Sequence, residues 1–151
     1  MPDSNTPTWR PDLETVRALS PRSILFLCVA NSARSQLAEA IARHLAPPHI
    51  TIYSAGSSPT KPHPLALQTL AARGIDARHQ HSKSVEDLRS TAIDLVITLC
   101  QDEVCPLWLG DAVRLHWPLP DPAASPDHEQ RTSFESVCNE LMERLSAIFS
   151  G

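Results

Sequence analysis

"SILFLCVANSARSQLAEAIARHLA", residues 23–46, decides the fold. The opening "SILFLC" (23–28) is a continuous apolar run, as expected of a strand buried on both faces. From 35 to 46 apolar residues recur at helical spacing, with Ser35 at the start and two prolines just beyond the end. A strand that passes through a short loop into a helix puts Cys28 at the carboxyl end of that strand. Open parallel sheets bind their ligands there.

Working outward, the same alternation recurs. "HITIYSAG" (49–56) reads as a second strand, "HPLALQTLAARG" (63–74) as a helix ending at Gly74, and "AIDLVITLC" (92–100) as a third, buried strand. "AVRLHW" (112–117) is a shorter fourth strand, and "SFESVCNELMERLSAIF" (133–149) is an amphipathic closing helix. Strands alternating with helices predict an α/β fold: one domain, a four-stranded parallel sheet flanked by helices. That domain is expected to span 21–151. Residues 1–20 read as an N-terminal extension, broken by Pro2, Pro7 and Pro11, with Leu13, Val16 and Leu19 on one side of a short helix.

The 151 residues suffice for one domain with a real core. A formal charge of −4 gives no reason to expect nucleic acid or an acidic membrane as partner. No apolar run approaches the ~20 residues of a membrane span, and "MPDSNTPTWRPD" lacks the features of a signal peptide. A cytoplasmic location is expected. Cys28, Cys100, Cys105 and Cys138 then read as thiols used chemically rather than as a disulfide framework. Structural zinc is disfavoured, since Cys100 and Cys105 have no second pair at ligand spacing and the seven histidines contain no i,i+4 pair.

The loop after Cys28 reads Val29, Ala30, Asn31, Ser32, Ala33, with short side chains apart from Val29. Its N–H groups can converge on an anion, helped by the free N–H groups and positive end of the following helix. Arg34 adds a planar fork that holds two oxygens of a tetrahedral oxyanion. The same field favours a thiolate at Cys28, to which Ser35 can donate, while Asn31 can tie the loop down through its amide. Cys28 with Arg34 and Ser35, C-x5-R-S between strand and helix, therefore reads as a nucleophile inside an oxyanion cradle.

Two further segments belong at the same sheet edge. In "LPDPA" (119–123), Pro120 and Pro122 fix the backbone around Asp121, whose carboxyl can serve as general acid. Alone, the segment reads as an ordinary turn. "TLCQDEVCP" (98–106) ends the third strand and brings Cys100 near Cys28, with Cys105 five positions on. Two thiols near a reactive third suggest a relay; two unrelated core cysteines are the alternative. Cys138 shares a helical face with Phe134, Val137, Leu141 and Leu145, and reads as a packed core thiol.

On "FLCVANSARSQLAEA", "YSAGS", "DLVITLC" and "HWPLPDPA", roughly residues 22–149 resemble the arsenate reductases built on the low-molecular-weight tyrosine phosphatase fold. The resemblance implies Cys28 as nucleophile, the 28–35 loop with Arg34 as oxyanion site, Asp121 as acid, and Cys100 with Cys105 as redox pair. It implies reduction of arsenate to arsenite, for detoxification, with phosphate or sulfate as competing oxyanions. Thioredoxin, or another thiol reductant such as glutaredoxin with glutathione, would restore the thiols. The Cys-x4-Cys spacing is shorter than usual in the thioredoxin-coupled branch. Some members hold a potassium ion beside the loop; Asn31, Glu39 and Ser54 match that pattern, while Ser84 stands where a carboxylate is expected.

A tyrosine phosphatase of the same fold is the near rival, and a non-catalytic oxyanion-binding or redox-sensing regulator the more distant one. Phosphatases usually carry proline after Arg-Ser, where this chain has Gln36, and aromatics after Asp-Pro, where it has Ala123 and Ala124. They also have no use for Cys100 and Cys105. The spacing carries one more expectation. Five steps along an α-helix rise about 7.5 Å and turn about 500°, too far and too skewed for a disulfide. Residues 101–105 are therefore expected to form a loop or frayed turn that rearranges on oxidation, with any helix starting near Pro106.

Overall fold

The computed structural model describes residues 7–101, 105–108 and 110–150. Four parallel strands form one sheet in the order β2-β1-β3-β4: β1 Ser23–Cys28, β2 Thr51–Gly56, β3 Leu95–Thr98 and β4 Val113–His116. Helices α1 Pro11–Leu19, α2 Arg34–Leu45, α3 Pro64–Ala71 and α4 Asp127–Phe149 surround it. The α/β class and the four-stranded parallel sheet agree with the sequence reading.

All six residues of β1 are buried, which is why this strand reads as an unbroken apolar run. Ile24 and Phe26 face one core with Leu37 and Ile41 of α2 and Phe134, Leu141 and Leu145 of α4. Leu25 and Leu27 face a smaller core on the other side, with Val96, Val85, Leu88 and Trp108. Successive residues of a strand point to opposite faces, so both cores share β1, as they share β3 through Leu95 and Ile97 on one side and Val96 on the other.

Most boundaries shift by one to three residues, and three differences are larger. β3 spans four residues rather than nine, because beyond Thr98 the chain leaves the ladder while still bonded to it: Leu99 N–H donates to Leu27 O at 2.9 Å. α4 begins at Asp127, six residues before Ser133; Asp127 and Glu129 in its first turn suit the positive end of the helix. Cys105–Trp108 is irregular, so no helix begins at Pro106. Residues 102–104 of the expected 101–105 loop lie outside the described residues.

The stretch read as an appendage packs into the main core. Trp9, Leu13 and Val16 are buried there. Trp117, just after β4, donates from Nε1 to Asp12 Oδ2 at 2.8 Å, and the Arg144 guanidinium lies over both the Trp9 and Trp117 rings. The prolines obscured this: Pro11 occupies the first turn of α1, where a missing N–H costs nothing.

Candidate active site

Cys28 ends β1 and is only 2% exposed. Its Sγ lies 2.8 Å from Ser35 Oγ, on the first turn of α2. Asn31 links both sides of the loop, donating from Nδ2 to Ser35 Oγ at 2.7 Å and to Ser54 Oγ on β2 at 2.9 Å. It does so from the left-handed region, φ 46°, which asparagine tolerates better than most residues.

The loop carbonyls point outward and are bonded there. Val29 O accepts from Ser58 N–H, Ala30 O from Thr60 N–H, and Ser32 O from His63 N–H, at 2.9 to 3.0 Å. Asn31 O accepts from Ser82 Oγ and Gln36 Nε2. In a trans peptide the next N–H points opposite to each carbonyl, so the N–H groups of residues 30–33 turn away from these partners, as an anion-binding nest requires. α2 then starts without a side-chain cap or an acidic residue in its first turn. Its leading N–H groups and positive end are left for a ligand.

Arg34, 4% exposed, is the first residue of α2. Its Nη1 donates to Leu119 O at 3.0 Å and to Leu99 O at 3.4 Å. One guanidinium thus ties the anion loop to the residue before Cys100 and to the segment before Asp121. Asp121 precedes a short 3-10 helix, Pro122–Ala124, and its Oδ1 accepts from Ala123 N–H at 3.0 Å. It lines a cleft of about 420 Å³ with Pro120, His128 and Val137, which Cys28 does not line. Among the described residues no hydrogen bond joins Asp121 to Cys28.

Cys100 and Cys105 form a disulfide with Cα atoms 5.6 Å apart. Cys100 is buried, Cys105 half-buried, and the nearby Leu107 is 75% exposed. Since Leu27 pairs with Thr98, and Leu99 bonds to Leu27, the chain reaches Cys100 beside the strand end that carries Cys28. Cys138 is fully buried on α4, and burial pushes its thiol pKa up. Among the described residues no group of three His, Cys, Asp or Glu side chains is placed to hold a metal ion.

Sequence reading missed the supports of the loop. "HQHSKS" (79–84) carried no legible chemistry, yet Ser82 and Lys83 both bond Asn31, the latter by its N–H to Oδ1 at 2.8 Å. Gln36, where phosphatases of the fold usually carry proline, is fully buried; its Nε2 holds Asn31 O and His81 O, and Gln80 Nε2 reaches its Oε1. Apart from Gln36 and Asn31, five residues apart, these partners lie 44 to 52 residues apart in the chain, so no local pattern announces them.

Gly56 shows how tightly the loop is seated. A Cβ there would lie 2.9 Å from both Asn31 N and Cys28 O, and nearer still to Val29 O. Gly56→Ala is expected to lose about 1 to 3 kcal/mol of stability and to weaken inorganic phosphate binding as the loop shifts. Chemical denaturation and a phosphate titration check the two effects.

A strand-end cysteine, a loop of outward carbonyls and an arginine opening the next helix make this end of the parallel sheet the candidate site. The low molecular weight phosphotyrosine protein phosphatase family matches residues 23–150, and the chain belongs to that family. Within it, the chain is similar to proteins named arsenate reductase. That of Bacillus licheniformis is 36% identical over 132 residues, covering 84% of this chain and 94% of that one. An arsenate reductase solved in a phosphate-binding state is 30% identical, with TM-score 0.74, covering 85% of this chain and 97% of that one. A thioredoxin-dependent arsenate reductase from Corynebacterium glutamicum is 29% identical, with TM-score 0.64, covering 96% of this chain and 78% of that one.

Proposed function

We propose that the protein reduces arsenate to arsenite at Cys28 and regenerates that thiol through Cys100 and Cys105. The observation that carries this reading is the Cys100–Cys105 disulfide, formed at the end of the strand adjacent to the one bearing Cys28. A hydrolytic enzyme needs no such pair. Its first half-reaction would still be shared with the family's phosphatases.

The chemistry balances as follows. Arsenate binds the N–H groups of the 29–35 loop and the Arg34 guanidinium. The Cys28 thiolate attacks arsenic, an S–As bond forms, and one arsenate oxygen leaves as water with a proton from Asp121. Cys100 then attacks Cys28 Sγ. The S–As bonding pair stays with arsenic, which departs as arsenite, and a Cys28–Cys100 disulfide remains. Cys105 attacks Cys100 Sγ next, releasing Cys28 as thiolate and leaving Cys100–Cys105 oxidised. An external dithiol reduces that disulfide. The similarity to a thioredoxin-dependent reductase favours a thioredoxin for this step, with glutaredoxin and glutathione as the second choice; either partner places the protein in a reducing compartment.

Ser35 serves here as a donor to the Cys28 sulfur, both while it is a thiolate and when it leaves Cys100. Arg34 holds the carbonyls flanking Cys100 and Asp121, so it also sets the distances over which the relay and the acid operate. No step is routed through potassium. The residues that match the family's ion pattern do not fit one, since Asn31 turns its NH2 group, not its oxygen, toward Ser54.

Incubating the reduced protein with arsenate, thioredoxin, thioredoxin reductase and NADPH tests the reading. NADPH consumption that matches arsenite formed is expected. Aryl phosphate hydrolysis without NADPH consumption would make it a phosphatase, and neither activity would leave an oxyanion-binding module.

A further inference from the structure

The carboxylate of Glu39 is the most deeply buried acidic group described, at 2% exposure, and a buried carboxylate must be paired or hydrogen-bonded. Its Oε1 accepts from Ser54 Oγ at 2.5 Å and meets Lys83 Nζ at 3.4 Å; its Oε2 meets Arg43 Nη2 at 3.1 Å. Lys83 Nζ also donates to His81 O at 2.8 Å. The Lys83 side chain is only 16% exposed, so this ammonium is held largely inside the fold.

The neighbouring groups are oriented for an ammonium and not for a metal ion. Lys83 N–H donates to Asn31 Oδ1, which fixes the amide so that its NH2 faces Ser35 and Ser54. A hard cation needs converging oxygens. Here the Asn31 oxygen is turned to the Lys83 backbone, and the Ser54 hydroxyl donates to Glu39. Ser84, at the position where a carboxylate would complete an ion site, is spent on a turn: its Oγ accepts from Glu86 N–H and its N–H donates to Asp87 Oδ2.

We infer that Lys83 is a built-in cation that takes the place of an exchangeable monovalent ion beside the oxyanion loop. Its ammonium pairs with Glu39 on Oε1, as the Arg43 guanidinium does on Oε2, and Glu39 holds Ser54; Ser54 holds Asn31, and Asn31 holds Ser35 against the Cys28 sulfur. Lys83 is therefore a positioning residue, acting on the loop by both its ammonium and its backbone N–H. The inference rests on the 28–35 loop being the oxyanion site, but not on arsenate turnover.

The test compares thermal stability and affinity for inorganic phosphate in potassium, sodium and choline chloride at equal ionic strength. The wild-type protein is expected to give the same Tm and the same phosphate affinity in all three. Lys83→Ala is expected to lower Tm by about 4 °C or more in choline and to weaken phosphate binding. Added ammonium chloride should restore much of both losses by entering the vacated space, potassium should restore little, and Lys83→Arg should retain most of the wild-type affinity. A potassium-specific rise in Tm of the wild type would overturn the inference, and so would a Lys83→Ala protein that equals wild type in choline or regains nothing with ammonium. If Lys83→Ala does not fold, the wild-type salt comparison decides. A protein that is insensitive to potassium yet fails to reduce arsenate would sink the proposed activity and leave this inference standing.

Discussion

Cys28→Ser is expected to lower arsenate reduction by about 10⁴-fold or more and to remove any aryl phosphate hydrolysis with it. The serine hydroxyl would take the place of a sulfur that now lies 2.8 Å from Ser35 Oγ, but it stays protonated and is a far weaker nucleophile than a cysteine sulfur. Arg34→Ala should also impair both reactions, by about 10² to 10³-fold. It removes the planar fork from the oxyanion and frees the Leu99 and Leu119 carbonyls that the guanidinium now holds. Steady-state rates with arsenate and with an aryl phosphate, measured on protein whose circular dichroism matches wild type, check both variants. Full turnover by Cys28→Ser would remove the foundation of the mechanism.

The second large effect separates two chemistries that share one nucleophile. Cys100→Ser and Cys105→Ser should each abolish multiple-turnover arsenate reduction while leaving aryl phosphate hydrolysis within a few-fold of wild type. Hydrolysis ends when water attacks the Cys28 adduct, whereas reduction ends only when a disulfide leaves Cys28. The two variants should stop at different points. Cys105→Ser should accumulate a Cys28–Cys100 disulfide after releasing one arsenite, and Cys100→Ser should release none. Cys138→Ser should retain reduction, since that thiol is fully buried on α4 among core side chains, and should cost about 1 to 3 kcal/mol for the buried hydroxyl. A Cys105→Ser protein that turns over, or a Cys138→Ser protein that does not, would redirect the relay.

Much of this architecture can be read from the sequence because it is encoded locally. The run of β1 from Ile24 to Cys28 is apolar since both faces of the strand are covered, and the small residues after Cys28 fit a loop whose carbonyls turn outward to bond neighbouring N–H groups. Cys100 was expected near Cys28 because both end strands of one parallel sheet; that β1 and β3 are neighbours is seen only in the fold. What escaped was the support that arrives from far along the chain. Ser82 and Lys83 lie in a stretch that carries no legible chemistry, and only the fold brings them to Asn31. The short helix of the N-terminal stretch was legible, but its packing into the core was not: its prolines look like breakers, and its core contribution rests on Trp9 and on the Asp12–Trp117 bond. Strand lengths were overestimated wherever an apolar run continues past the ladder, as from Thr98 to Cys100.

A single turnover without any external reductant tests the central claim most directly. Fully reduced protein carries four thiols per chain. One equivalent of arsenate should yield one equivalent of arsenite, and thiol titration should then find two thiols, with peptide mapping joining Cys100 to Cys105 and leaving Cys28 and Cys138 free. Four remaining thiols with no arsenite formed, under conditions where arsenate binds, would contradict the account.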